Sequence, residues 1–88
     1  MATVDITVSN AVWTEVVPAS GKGLFSNNTK DLFVRTGTSL PAVTVNTGHP
    51  LDEGESINVD LSGGSDAMYA RVRYQQIQAS GQTSFTAS

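Results

Sequence analysis

Asp52, Glu53 and Glu55, grouped around Gly54, are the residues of this chain whose types and spacing come closest to a metal site. Hard cations such as calcium take several oxygens converging from a loop, and a glycine helps such a loop to bend. The twelve-residue calcium-loop pattern is absent, however, and "DEGE" reads more simply as a solvated tight turn that directs Leu51 and Ile57 inward. No metal is expected. His49, the single histidine, lies between Gly48 and Pro50 and reads as an exposed loop residue. A catalytic triad would require a nucleophile beside it, and the chain has no G-x-S-x-G elbow. Hydrolysis by paired carboxylates needs a cleft between acids about 5–10 Å apart, which so small a domain seldom offers. Neither a catalytic residue nor an enzymatic activity is expected.

Gly63-Gly64 raises the question of a phosphate cradle. Such loops feed a helix whose first amides face the anion, usually with a lysine nearby. Here a strand pattern follows and the nearest charge is Asp66, so the pair reads as the corner of a hairpin, where glycine supplies positive φ. No cofactor is implied. Asn27-Asn28-Thr29 fits the spacing of a glycan acceptor but is read as a hairpin turn. Trp13, the only tryptophan, either stacks on a sugar ring or anchors a core or an interface, and its β-branched surroundings in "AVWTEVV" favour the anchor. Arg35, Tyr69, Arg71 and Arg73 fall on strand patterns, and arginine and tyrosine are enriched where protein surfaces meet. The alternative is a solvated sheet face with cross-strand pairs. These four residues and Trp13 are the candidate interface.

The elements that would position them are strands. No window carries apolar residues at helical spacing, and glycine and proline recur too often for a long helix. Val4, Ile6 and Val8 alternate with Thr3, Asp5 and Thr7, as in a strand with one face covered. "AVWTEVV" forms a second strand, "GLFSN" and "DLFVRTG" flank a hairpin turn, and "PAVTVN" is read as a further strand. Ile57, Val59 and Leu61 share a face, and beyond the glycine corner Met68, Ala70 and Val72 oppose Tyr69, Arg71 and Arg73. The strands on either side of that corner are expected to pair as an antiparallel hairpin. About seven short strands predict an all-β fold, a small antiparallel β-sandwich or barrel. Residues 1–88 form a single domain, with 75–88 as an extended C-terminal arm or a last strand and "QASGQ" as the only candidate hinge.

Length and charge narrow the function further. A chain of 88 residues buries only about 60–65% of the surface that it exposes unfolded, so a lone monomer has a thin stability margin. Without cysteines it lacks disulfide staples and thiolate metal sites, and small domains of this kind often assemble with copies of themselves. Serine and threonine account for 20 residues and lysine for two, which leaves strand edges poorly defended against pairing with another chain. A formal charge of -3 without a basic run argues against nucleic acid. The short apolar runs argue against a membrane span, and the N-terminal stretch reads as mature sequence made in a cytoplasm, without a secretion signal.

The order of these features resembles that of small β-rich virion proteins of tailed bacteriophages. The resemblance rests on Trp13 in its strand, Asn27 or Asn28 in a turn, Leu51 followed by Gly54-Glu55, and Tyr69-Ala70-Arg71. It covers most of residues 10–74 and none of the chain beyond. It implies a non-enzymatic structural protein located in the virion, chiefly one that decorates and cements the capsid. The partners implied are the major capsid protein or other virion proteins, together with copies of the chain itself, a trimer being favoured. A tail, fibre or head-tail joint component, or a carbohydrate-binding module for host recognition, is the alternative.

Overall fold

The computed structural model describes residues 3–73 and 79–88, so the first part of the expected arm and of the "QASGQ" hinge lies outside the described residues. The described residues contain eight strands, against the about seven that the sequence pattern predicts: β1 (Thr3–Ser9), β2 (Thr14–Val17), β3 (Lys22–Asn27), β4 (Leu32–Gly37), β5 (His49–Leu51), β6 (Ser56–Asp60), β7 (Ala67–Val72) and β8 (Ser80–Ala87). They form two four-stranded antiparallel sheets, sheet A in the order β1-β8-β3-β6 and sheet B in the order β2-β7-β4-β5. The fold is thus all-β, with the layers of a small sandwich.

Alternation drives this arrangement. Val8, Phe25, Val59 and Phe85 project from sheet A, and Val16, Leu32, Leu51, Met68 and Val72 from sheet B, into one core between the layers. Burial of each such side chain contributes roughly 1.5–3 kcal/mol, which offsets the entropy lost in ordering it. In β3 the inward position 23 has no room for a side chain. A Cβ at Gly23 would lie 2.1 Å from the carbonyl oxygen of Thr86 on β8, and φ there is +158°. Glycine allows that close approach of two backbones.

Three expectations are corrected. The segments "GLFSN" and "DLFVRTG" are not a hairpin, because β3 belongs to sheet A and β4 to sheet B. The turn between them crosses the sandwich: the Asn28 amide bonds to the carbonyl of Gln82, while the buried Asn27 donates through Nδ2 to the carbonyl of Leu51. Likewise β6 and β7 do not pair across the glycine corner but lie in opposite sheets. Gly63 takes φ of +80° within this crossing, and the Ser20 hydroxyl fixes it through the carbonyl of Gly64 at 2.7 Å. The physical reason is common to both, since a period-two pattern requires only that alternate residues face the core. It holds equally whether the next strand lies beside the first or across from it.

The third correction concerns "PAVTVN", which is no strand but part of the connection from β4 to β5. A turn closed by the Val45 amide on the carbonyl of Ala42 interrupts it. The C-terminal segment resolves the other way: residues 80–87 are a strand, β8, which lies between β1 and β3 inside sheet A.

Candidate interaction surface

Four of the five candidate interface residues meet on the outer side of sheet B. Cross-strand register places Glu15, Tyr69 and Arg35 in one row, and Arg71 beside Phe33 in the next. Their neighbours in the chain, Val34 and Ala70, face the core. Alternation alone would leave this row in water. Instead residues 38–48 fold back over it, and Trp13, Ala67 and Tyr69 form a second apolar cluster with Phe33 and Val45 packed against it. Trp13 is 2% exposed and Tyr69 6%, so neither offers a free ring face.

The arginines hold this covering in place. Arg71 donates through Nε to the carbonyl of Asn10 at 2.9 Å and through Nη1 to the carbonyls of Val43 and Val45, at 2.6 and 2.8 Å. The Trp13 indole donates to the same Val45 oxygen at 2.8 Å. Arg35 secures the far end through the carbonyl of Thr47 at 2.9 Å. Carbonyls withdrawn from water need such partners, and bonds from charged donors are the stronger kind. The consequence is a clamped loop without a single charged side chain, on which Leu40 and Val43 are each 57% exposed. Val12, 45% exposed, belongs to the neighbouring segment that Arg71 also holds.

Arg73 stands apart, at the end of β7. Its Nε donates to the carbonyl of Leu32, its Nη2 pairs with Asp52 at 2.7 Å, and its guanidinium lies 5.5 Å from the Phe33 ring centre. Asp31 completes a small network, accepting the Glu53 amide at 2.9 Å and lying 3.8 Å from Arg73. Glu55 turns back to accept the amide of Asp52. Within "DEGE" the Glu55 carboxylate thus closes the turn and Asp52 ties it to Arg73, where the chain passes from sheet B to sheet A. Among the described residues no group of three or more potential ligands is placed to hold a metal. His49, read from the sequence as a loop residue, is on β5 opposite Val34 and is exposed.

Sheet A presents the opposite kind of face. Its outward rows, Thr3-Thr86-Leu24-Asn58 and Asp5-Ser84-Ser26-Ser56, are uncovered by any described segment. Hydroxyls pair within them, Thr3 with Thr86 and Ser26 with Ser56, each at 2.9 Å. Asp60 on the same face is held below its ordinary value of 3.8 by the Ser62 hydroxyl and then the Ser62 amide, with Lys22 adding a smaller attraction.

The covering loop and its exposed Leu40 and Val43 escape a reading by alternation, because "PAVTVN" has the composition of a strand. The available signal was the 11 uncharged residues between Gly37 and His49, far more than two adjacent antiparallel strands require. Comparison with protein-family models, curated proteins and solved structures finds no match to this chain.

Proposed function

We propose that this chain is a non-enzymatic accessory protein of a tailed-bacteriophage virion that decorates the assembled capsid through surface contacts. One observation carries the reading. The donors best suited to a polar site, Arg35, Arg71 and the Trp13 indole, are directed at carbonyls of residues 43–47, and the loop so held displays Leu40 and Val43 to the exterior. Ordered apolar side chains on an uncharged loop suit docking on another protein, since little entropy remains to be lost on binding. The sequence resemblance over most of residues 10–74 supports the same reading. Sugar stacking is not favoured, because the face of Trp13 is buried.

In this reading the loop contacts the major capsid protein, and copies placed around the shell add many weak contacts through multivalency. Preferential binding to the assembled lattice then shifts the equilibrium against disassembly. The test adds purified chain to preformed empty shells and measures co-sedimentation and the shell melting temperature. Saturable binding at micromolar concentration with a raised melting temperature is expected, and Leu40→Asp with Val43→Asp should weaken binding at least tenfold. Binding to purified tails alone would move the protein to the tail. Binding to neither particle would refute a virion role of this kind.

A further inference from the structure

The four edge strands of the sandwich are unequally protected. Edges are commonly blunted by shortness, proline, bulges or charge, because unpaired backbone groups otherwise recruit another strand. On sheet B, β5 has three residues including Pro50, and β2 has four, a register shift between Glu15 and Val17, and Pro18 directly after it. On sheet A, β6 has five residues, and its inward Val59 is 8% exposed.

The seven residues of β1 have the fewest of these protections, a single charge. They pair continuously with β8 without a register shift, contain neither proline nor lysine, and carry one charge, Asp5. Among the described residues β1 pairs only with β8, and no described strand pairs with its other side. Val4, on the side that faces the core, is nevertheless 53% exposed. It opens into a groove of about 360 Å³ that Ile6, Val16, Pro18 and Phe85 also line. The groove exists because β2 is too short to cover the full length of β1.

We propose that β1 is a self-association edge, and that its occupant is β1 of a second copy, laid antiparallel across a twofold axis at Ile6. The register follows from faces and charge. Only an axis through a residue keeps inward side chains beside inward ones. An axis at Asp5 would set two carboxylates directly opposite each other, about 4.5–5.5 Å apart at Cβ, and like charges so placed are destabilising. An axis at Thr7 would leave Thr3 and Val4 without strand partners. The axis at Ile6 uses all seven residues, sets Val4 beside the partner's Val8, and places each Asp5 opposite the neutral hydroxyl of the partner's Thr7. Two four-stranded sheets then become one of eight, and the exposed flank of Val4 is covered. The interface is isologous, so the unit that forms is a dimer rather than the expected trimer.

The inference concerns the isolated protein and is independent of shell binding. Light scattering on the purified chain should give a dimer at micromolar to tens-of-micromolar concentration. Val4→Lys, which places an ammonium beside the inner face of the edge, should weaken the dimer at least tenfold while the melting profile stays cooperative. Because the chain has no cysteine, a register test is available even if that variant fails to fold. An equimolar mixture of Asp5→Cys and Thr7→Cys chains should form the mixed disulfide far faster than either chain alone forms its own. A monomer at every concentration, a trimer unaffected by Val4→Lys, or faster linkage of Asp5→Cys chains to each other would each overturn the proposal. A monomer that still binds shells would sink this inference alone, whereas a dimer that ignores them would sink only the virion reading.

Discussion

The outer faces of the two sheets come from the same alternating pattern and end in opposite states. Sheet A leaves rows of threonine and serine open to water, whereas sheet B sheathes Tyr69 and Arg71 beneath residues 38–48 of its own chain. The difference teaches that a polar face on a strand does not announce a binding surface. On sheet B the guanidinium of Arg71 supplies the bonds that allow an irregular segment to lie on the sheet, and the surface available to a partner is that segment. On sheet A the strands themselves remain the exterior.

The largest expected effect comes from removing the platform under the loop. Trp13→Ala deletes a side chain that is 2% exposed, together with its indole bond to Val45, and should cost about 3–5 kcal/mol of unfolding free energy in denaturant titrations. Leu24→Ala, at 42% exposure on sheet A, should cost about 0.5 kcal/mol or less. Similar losses at the two sites would erase the distinction between the faces.

Arg71→Met comes next. It keeps an apolar stem but abandons three carbonyls, and the expected loss is about 2–3 kcal/mol, since charged donors contribute more than neutral ones and water replaces part of the bonding. The effect should be local as well as global. Amide exchange of Val45, whose N–H closes a turn on Ala42, should accelerate by more than that of the amides in β3 and β8. Uniform acceleration would mean that Arg71 supports the core rather than the loop.

How much of this was legible in the sequence depends on what each signal encodes. Alternation in Thr3–Val8 and Ile57–Leu61 gave the strands and the faces of Val8 and Val59, because burial acts on single residues. Pairing was not legible, since alternation carries no information about whether β4 lies beside β3 or opposite it. The turns hold that information in details such as the inward Asn27 and its bond to Leu51, which resemble hairpin chemistry until the partner is known. Of the five candidate interface residues, four are gathered on one face, where Trp13 and Tyr69 are buried beneath the chain's own loop. Their common work was hidden, because the acceptors of Arg35, Arg71 and Trp13 are backbone carbonyls, which no side-chain pattern reveals.

The smallest effect tests a charged group on the open face. Asp60 projects outward from β6, fully exposed, and accepts bonds from the hydroxyl and amide of Ser62 that lower its pKa below 3.8. A carboxylate with a depressed folded-state pKa stabilises the protein above its unfolded value, and that contribution is lost as pH falls through 3.8 toward the folded value. Ser62→Ala removes the larger of the two causes and should move the Asp60 pKa upward, which a carboxyl-carbon NMR titration reads directly. The stability difference between wild type and variant should be constant near neutrality and close as the carboxyl protonates. A difference that persisted in acid would show that the Ser62 hydroxyl holds the turn and not the charge. Solvent screening makes the whole effect slight. On sheet B, by contrast, the half-buried guanidinium of Arg71 cannot exchange its carbonyls for water without exposing the cluster around Trp13. The same chemistry, a charge meeting neutral hydrogen-bond partners, therefore has a structural role only where the chain has excluded water from it.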